Sequence, residues 1–216
     1  MRPRRANPRH IRSSLMANPL DSTAINRLFS EAHTTHTFTE EPVDPALIQQ
    51  AYEDLRWAPT GFNAQPLRLT VLTPGASRDA VVEHLMDSNK AKTKAAPLTV
   101  VAAYTADWHE HMPTLAPQRD GARESFEKMA KMRETVGQQS ALIQIGYLLL
   151  ALRARGLEVG PMTGLDAEGV DQVVHADNGW KTLVVINVGH AADPHDESAV
   201  RPRGGRLEFA QAAQVL

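Results

Sequence analysis

The segment Trp57-Ala58-Pro59-Thr60-Gly61-Phe62-Asn63-Ala64-Gln65-Pro66 runs directly into Leu67-Arg68-Leu69-Thr70-Val71-Leu72. A helical spacing of apolar residues precedes it and an apolar–polar alternation follows, which predicts a loop between a helix and a strand. Pro59 disfavours helical backbone at Ala58, and Gly61 can adopt a positive φ. The amides of Asn63 and Gln65 lie beside backbone groups that no regular ladder uses. The loop can therefore present polar groups to a polar, planar ligand, with an ordinary turn as the alternative.

The composition favours one domain and excludes several kinds of site. A chain of 216 residues is long enough to bury roughly 70% of its unfolded surface in one core. The absence of cysteine excludes disulfides, thiolate metal sites and cysteine nucleophiles, and it fits a reducing compartment such as the cytoplasm. The net charge of -2 gives no basic field for nucleic acid. No apolar run reaches the roughly 18 residues of a membrane span.

Residues 1–20 differ from the rest of the chain in charge. They contain five arginines and no acidic residue, which leaves 18 basic and 25 acidic residues in the remainder. A basic leader of this kind is typical of a transit peptide or a phosphate-binding arm. Met16-Ala17-Asn18-Pro19-Leu20 also resembles an alternative translation start. We therefore expect residues 1–20 to be disordered or wrongly included, and residues 21–216 to form a single domain.

Apolar periodicity predicts an α+β layered fold, with a central, mainly antiparallel sheet between helices. We expect helices from Asp21 or Ser22 to about 33, from Asp44 to about 55, from Ser77 to about 86, from about 121 to 136, and from Asp166 to Val174. Clear strands are predicted over 67–72, 98–104 and 182–189, and the middle one is apolar enough to be covered on both faces. The segments 33–38, 106–118 and 160–166 are predicted to be irregular, the first with high strand propensity.

The segment Ala141–Leu152 is apolar on nearly every side of a predicted helix and stops at Arg153, Arg155 and Gly156. A helix of that kind must be central in its domain or buried against a partner. The pattern predicts a core helix that also forms a dimer interface.

Several familiar catalytic motifs are missing. The sequence has no G-x-G-x-x-G opening a helix, no Walker loop and no G-x-S-x-G elbow. His109-Glu110-His111, with Glu83 and His84 upstream, could suggest a metal site, but this spacing in a polar loop is more often solvated. We expect no metal, and we expect His175, His190 and His195 at the surface.

Two groupings indicate a ligand site. The C-terminal segment Arg201-Pro202-Arg203-Gly204-Gly205-Arg206 offers guanidinium forks and accessible backbone N–H groups to a phosphate, unless it is a solvated tail. The loops 59–65 and 160–164 both follow regular elements and are rich in spare backbone donors and acceptors. Such groups suit the edge of a flavin ring, where a donor near N5 and charge near N1 tune the cofactor.

Taken together, these residues resemble the nitroreductase family of FMN-dependent oxidoreductases. The resemblance rests on Phe38-x-x-x-Pro42-Val43, followed by Ala58-Pro59-Thr60-x-x-Asn63-x-Gln65-Pro66. Within the family, the malonic-semialdehyde reductase branch is most similar, through Asn89-x-x-Lys92-Thr93-x-x-Ala96-Pro97, Gly156-Leu157-x-x-Gly160-Pro161-Met162-x-Gly164-x-Asp166 and Arg203-x-x-Arg206-Leu207-x-Phe209.

The resemblance implies a homodimer with one FMN in each of two interfacial sites. The phosphate would meet Arg201, Arg203 and the segment His33, Thr34 and Thr35. The ring and ribityl chain would lie along Pro59, Thr60, Gly61, Asn63 and Gln65, and Met162, Thr163 and Gly164 would lie near the N5 edge. The family motif usually begins with arginine where this chain has His33, which suggests that FMN affinity depends on pH.

The implied reaction passes a hydride from NADH or NADPH to flavin N5 and then to a second substrate, with no side chain acting as acid or base. Malonic semialdehyde would become 3-hydroxypropanoate, and His36 or Arg68 would bind its carboxylate. The alternatives are a nitroaromatic or quinone reductase, because an exposed flavin reduces many acceptors, and a flavin-binding protein without turnover. No nucleic-acid or membrane partner is expected.

Overall fold

The computed structural model of the protein describes residues 19–192 and 202–216. The helices are α1 (Ser22–Leu28), α2 (Ala46–Leu55), α3 (Ala76–Glu83), α4 (Asp87–Ala95), α5 (Met112–Leu115), α6 (Ala122–Glu127), α7 (Ala130–Ala154), α8 (Ala167–Val174) and α9 (Phe209–Ala212). The strands are β1 (Leu67–Leu72), β2 (Leu98–Tyr104), β3 (Glu158–Met162) and β4 (Lys181–Gly189). Short 3₁₀ turns cover Gly61–Asn63 and Ala106–His111. The predicted basic leader lies outside the described residues, apart from its last two positions.

The four strands form one antiparallel sheet in the order β1-β2-β4-β3. Every residue of β2 is buried, because helices cover both faces of the sheet. Alternate residues of each strand point to opposite faces, so β2 sends Val100 and Ala102 toward α2 and α7, and Val101 toward α3 and α8. The predicted α+β class, the antiparallel sheet and the doubly covered strand are therefore confirmed.

Helix α7 is the long central helix predicted from the apolar segment 141–152, and it begins eleven residues earlier, at Ala130. One side of it packs on the sheet and α2 through residues such as Ala141, Leu148 and Leu152. Its length and composition alone would let it cross a membrane, but this packing makes it a core helix of the domain.

Four local predictions were wrong. The segment 160–166 was predicted to be irregular, but its first three residues belong to the edge strand β3. An edge position tolerates Pro161 because the missing N–H removes no ladder bond there. The polar helix α4 has no apolar stripe and was not predicted. The predicted helix over 121–136 is two helices, α6 and the start of α7. Helix α1 ends at Leu28 instead of near residue 33, and none of its residues is buried.

The segment after α1 crosses the edge strand β3 at very short range. Thr35 N donates to Val159 O at 3.0 Å, and Thr35 is buried. A Cβ atom at Gly160 would lie 2.5 Å from Thr35 O, a distance at which the backbone must shift. Gly160 therefore permits this crossing.

Replacing Gly160 with alanine should force the 33–37 segment away from β3. We expect a loss of about 1–3 kcal/mol in the free energy of unfolding, the usual cost of overpacking. Urea denaturation measures it. Gly205→Ala is the matched control, because no atom lies within 4 Å of a Cβ there. Equal stability of the two variants would contradict this account of Gly160.

Candidate active site

The loop 58–66, here called the Asn63 loop, is held in a strained conformation. Phe62, Asn63 and Gln65 adopt φ values of 57°, 58° and 42°, and each non-glycine residue in such a region costs about 1–3 kcal/mol. The expectation that Gly61 supplies the positive φ was wrong. Gly61 instead permits a close approach to α7, since a Cβ atom there would lie 3.2 Å from Val136 Cγ1.

Side-chain hydrogen bonds hold the strained backbone. Asn63 Nδ2 donates to Leu115 O at 2.8 Å, and Asn63 Oδ1 accepts from Gln65 Nε2 at 3.1 Å. Gln65 N donates to Thr60 Oγ1 at 3.3 Å. Pro59, Gly61 and Asn63 are exposed, so the loop presents a rigid polar surface to solvent.

Helix α7 supports the same loop with buried polar side chains. Ser140 Oγ accepts from Gly61 N at 3.1 Å, and Gln144 Oε1 accepts from Leu67 N at 3.1 Å. Both side chains are buried. An aromatic cluster on the other side of the loop pairs Phe62 with Phe126, with ring centroids 5.1 Å apart.

A second group of predicted residues lies near the C-terminal end of α7, in a cavity of about 430 Å³. We call it the cationic cavity. Its titratable lining residues are His33, His36, Arg153, Arg203 and Arg206. No acidic residue lines it within the described part of the chain. Arg201 lies outside the described residues.

The contacts in the cationic cavity join three distant parts of the chain. Arg203 Nη2 approaches His33 Nε2 at 2.7 Å and donates to Ala32 O at 3.2 Å. Arg153 Nη2 donates to His33 O at 3.5 Å. Burial lowers the pKa of Arg153, and its buried Nε has no hydrogen-bond partner in the described structure. Sequence reasoning treated Arg153 only as a helix end and missed this position.

The predicted residues Thr163 and Gly164 follow β3, the strand that Thr35 contacts through Val159. Thr163 is exposed and Gly164 is half-buried, whereas the Met162 side chain is buried in the core. Gly164 O accepts from Met86 N and from Asn89 Nδ2, both at 3.0 Å. Thr163 follows Val159 by four residues, or about 13 Å of extended strand.

The structure separates the Asn63 loop from the other predicted residues. Ser140 and Arg153 mark the two groups on α7, and thirteen residues of helix span about 20 Å. The loop also adjoins β1, whereas Thr163 and Gly164 follow β3, at the opposite edge of the sheet. Three strand spacings amount to about 14 Å. One chain thus carries two separate halves of the predicted site.

The two predicted substrate contacts are also separate. His36 lines the cationic cavity. Arg68 lines a different groove, of about 630 Å³, between α2 and β1. Arg68 Nη1 donates to Gln65 O at 3.0 Å and to Leu67 O at 2.8 Å, and burial lowers the pKa of Arg68. Arg68 therefore supports the end of the Asn63 loop.

The histidines behave differently from one another. His109, Glu110 and Glu127 are close enough to bind a metal ion, but Arg133 Nη1 lies 3.1 Å from His109 Nδ1 and Arg123 pairs with Glu110 at 2.7 Å. This cluster is an ion-pair network.

The expectation of a surface His175 was wrong, because its side chain is buried. Its Nε2 lies 3.0 Å from Thr70 Oγ1, and its Nδ1 lies 3.1 Å from Asp171 Oδ1. His190 is half-buried, and His195 lies outside the described residues.

Residues 30–190 match the model of the nitroreductase family. The chain belongs to the nitroreductase family. A relative from Leptothrix cholodnii, provisionally named an NADH dehydrogenase/NAD(P)H nitroreductase, is 40% identical over 201 residues, which is 93% of this chain and all of that protein. One from Streptomyces griseus with the same provisional name is 37% identical over 194 residues, 90% of this chain and 96% of its own. The predicted family is confirmed.

Solved nitroreductase structures share the fold. A provisionally named nitroreductase from Exiguobacterium sibiricum, solved in complex with FMN, superposes with a TM-score of 0.75 at 14% identity, and the match covers 88% of this chain and 96% of that one. The architecture of this chain is therefore that of its family.

The strain in the Asn63 loop predicts a difference between two substitutions. Asn63→Ala and Asn63→Gly both remove the amide, but only alanine retains a Cβ at φ 58°. We expect the alanine variant to be less stable than the glycine variant by about 1 kcal/mol, because left-handed backbone costs an alanine about that much. Urea unfolding of both variants measures this, and equal stabilities would show that the loop relaxes out of that conformation.

Proposed function

We propose that this protein is an FMN-dependent NAD(P)H oxidoreductase whose two active sites each use residues from both chains of a homodimer. Its membership of the nitroreductase family supports the reaction class. So do relatives provisionally named NAD(P)H nitroreductases and a structural neighbour solved with FMN. The observation that carries the proposal is the separation of the Asn63 loop from the cationic cavity along α7.

The cationic cavity fits the phosphate of FMN. Its cations have no acidic counterpart among the described lining residues, and the unpartnered, buried Nε of Arg153 is a donor that an anion could use. Arginine forks bind phosphate through charge-assisted hydrogen bonds. His33, Thr34, Thr35 and Arg203 would hold the phosphate, with Arg201 as a further predicted contact.

The end of β3 fits the other end of the same cofactor. The roughly 13 Å from Val159 to Thr163 is comparable to the reach of FMN from phosphate to ring. Met162, Thr163 and Gly164 would then lie along the ring, through their backbone groups where the side chain is buried. When bound, FMN would supply the redox chemistry by passing a hydride from NAD(P)H to a second substrate.

The Asn63 loop would reach this site from the second chain. In a two-fold dimer the same pair of surfaces meets twice, so two complete sites form. Pro59, Thr60, Gly61, Asn63 and Gln65 would line the ring and the ribityl chain. Because the loop is already fixed by Ser140 and Leu115, little ordering cost remains when FMN binds.

Two exposed apolar surfaces support the dimer. On α7, Leu142, Ile143 and Tyr147 are 49%, 47% and 44% exposed. All described residues of the tail 202–216 are exposed, including Leu207 and Phe209 at about 70%. Large apolar side chains exposed close together on one helix are typical of an interface with another protein. We propose a second copy as that protein, and the tail as part of the contact.

We propose malonic semialdehyde, or a similar small aldehyde, as the second substrate, on the strength of the matching segments 89–97, 156–166 and 203–209. The two predicted carboxylate contacts lie apart: His36 lines the cationic cavity, where we place the phosphate, and Arg68 donates to two backbone carbonyls beside the Asn63 loop. A broad-specificity nitroaromatic or quinone reductase is the alternative.

We also propose that residues 21–216 form the single domain and that the protein is cytoplasmic.

The purified protein should be yellow or take up FMN, and NADH or NADPH should bleach the flavin absorbance near 450 nm without oxygen. A protein that never takes up FMN would overturn the proposed function. FMN uptake without bleaching by either nicotinamide would indicate a flavin-binding protein without turnover. Absorbance spectroscopy measures both.

The second substrate is tested by steady-state kinetics with malonic semialdehyde and a nitrofuran. We expect kcat/KM for malonic semialdehyde to exceed that for the nitrofuran. The reverse preference would favour the nitroaromatic reductase.

A further inference from the structure

The inference concerns how His33 contacts a phosphate, and it rests on the proposed function. A guanidinium group has only donors, so Arg203 must donate to His33 Nε2 across their 2.7 Å separation. An imidazole nitrogen that accepts a hydrogen bond carries no proton. In this arrangement His33 is therefore neutral, with its proton on Nδ1.

Most of the charged groups that line the cavity with His33 are cations. Arg203 and Arg206 face it from the tail and Arg153 from the end of α7, while His36 lies in the same segment. The acidic groups on neighbouring elements do not line the cavity: Glu31 is exposed two positions before His33, and Glu158 of β3 pairs with Arg27 of α1 at 3.5 Å.

A phosphate dianion in the cavity would change the contact between Arg203 and His33. Its oxygens compete with His33 Nε2 for the guanidinium of Arg203, and its two negative charges favour a cationic imidazole. Once Arg203 turns to the phosphate, His33 Nε2 can bind a proton from solvent and donate it to a phosphate oxygen. The N–H bond formed on His33 is the only covalent change, and its proton comes from solvent.

We propose that His33 is a proton-coupled phosphate ligand: it is neutral before the phosphate binds and cationic afterwards, so that each FMN bound takes up one proton. The ligand class is a phosphate monoester. An arginine at this position would bind phosphate at any physiological pH, whereas His33 makes the binding stronger as the pH falls.

The test is the dissociation constant of FMN for the full chain between pH 6.5 and 8.0, measured by quenching of FMN fluorescence. Uptake of one proton changes the constant by at most tenfold per pH unit, so we expect about five- to tenfold weaker binding at pH 8.0. The phosphate itself titrates near pH 6 and stays mostly dianionic in this range. Calorimetry in two buffers of different ionisation enthalpy should give close to one proton per FMN at pH 7.

Two substitutions of His33 test whether its charge, and not only its hydrogen bonding, determines how FMN binding depends on pH. His33→Arg should bind FMN with a constant that does not change with pH, and His33→Gln, which keeps an acceptor for Arg203, should bind weakly at every pH. His111→Gln is the matched control, because His111 is exposed and lies outside the cationic cavity, and it should keep the pH dependence. Riboflavin has the same ring without the phosphate, so its binding should not depend on pH in this way.

A wild-type constant that is flat from pH 6.5 to 8.0, or an unchanged slope in His33→Arg, would overturn the inference while leaving the proposed function intact. No FMN binding at any pH would overturn both.

Discussion

Helix α7 is the constraint on which the rest of the structure depends. It is one continuous helix of 25 residues, fixed on the sheet by buried apolar residues. Its ends therefore cannot approach each other. Ser140 anchors the Asn63 loop and Arg153 borders the cationic cavity, so the about 20 Å of helix between them separates two halves of a site. Other apolar residues of the same helix remain exposed, and there we propose that a second chain packs.

Each half of the site is positioned by close backbone contacts and not by flexible side chains. Gly160 lets the 33–37 segment lie directly on β3, and this contact fixes His33 beside Arg153. The Asn63 loop keeps three non-glycine residues at positive φ. Its strain is offset by bonds to Leu115 and Ser140. Rigid placement of this kind lowers the ordering cost of binding a cofactor, which suits a protein whose chemistry the cofactor supplies.

Much of the fold could be predicted from sequence because its core elements have strong apolar patterns. The strands β1, β2 and β4 and the helices α2, α7 and α8 all show such patterns, and Asp166 caps α8 as predicted. Helix α4 was missed because its burial comes from polar residues such as Asn89 and Thr93. Strand β3 was missed because glycine and proline usually indicate loops, and only its edge position explains them.

The site was less predictable, because its key features depend on contacts distant in sequence. Phe62 and Asn63 take the positive φ expected of Gly61, and the bond from Asn63 to Leu115 spans 52 residues. Arg153 joins the cavity through a segment 120 residues away. No local pattern encodes such pairs. The division of the site between two halves likewise follows from the length of α7 in three dimensions.

The most direct test of the central claim is FMN binding by a purified heterodimer of two damaged chains. One chain carries Arg153→Ala and Arg203→Ala, and the other carries Asn63→Ala, with a different affinity tag on each. If the site is shared between chains, each variant homodimer binds FMN weakly, and the heterodimer contains one intact site that binds one FMN with wild-type affinity. A heterodimer with no tight site would contradict the account, because it would show that each site is built from a single chain.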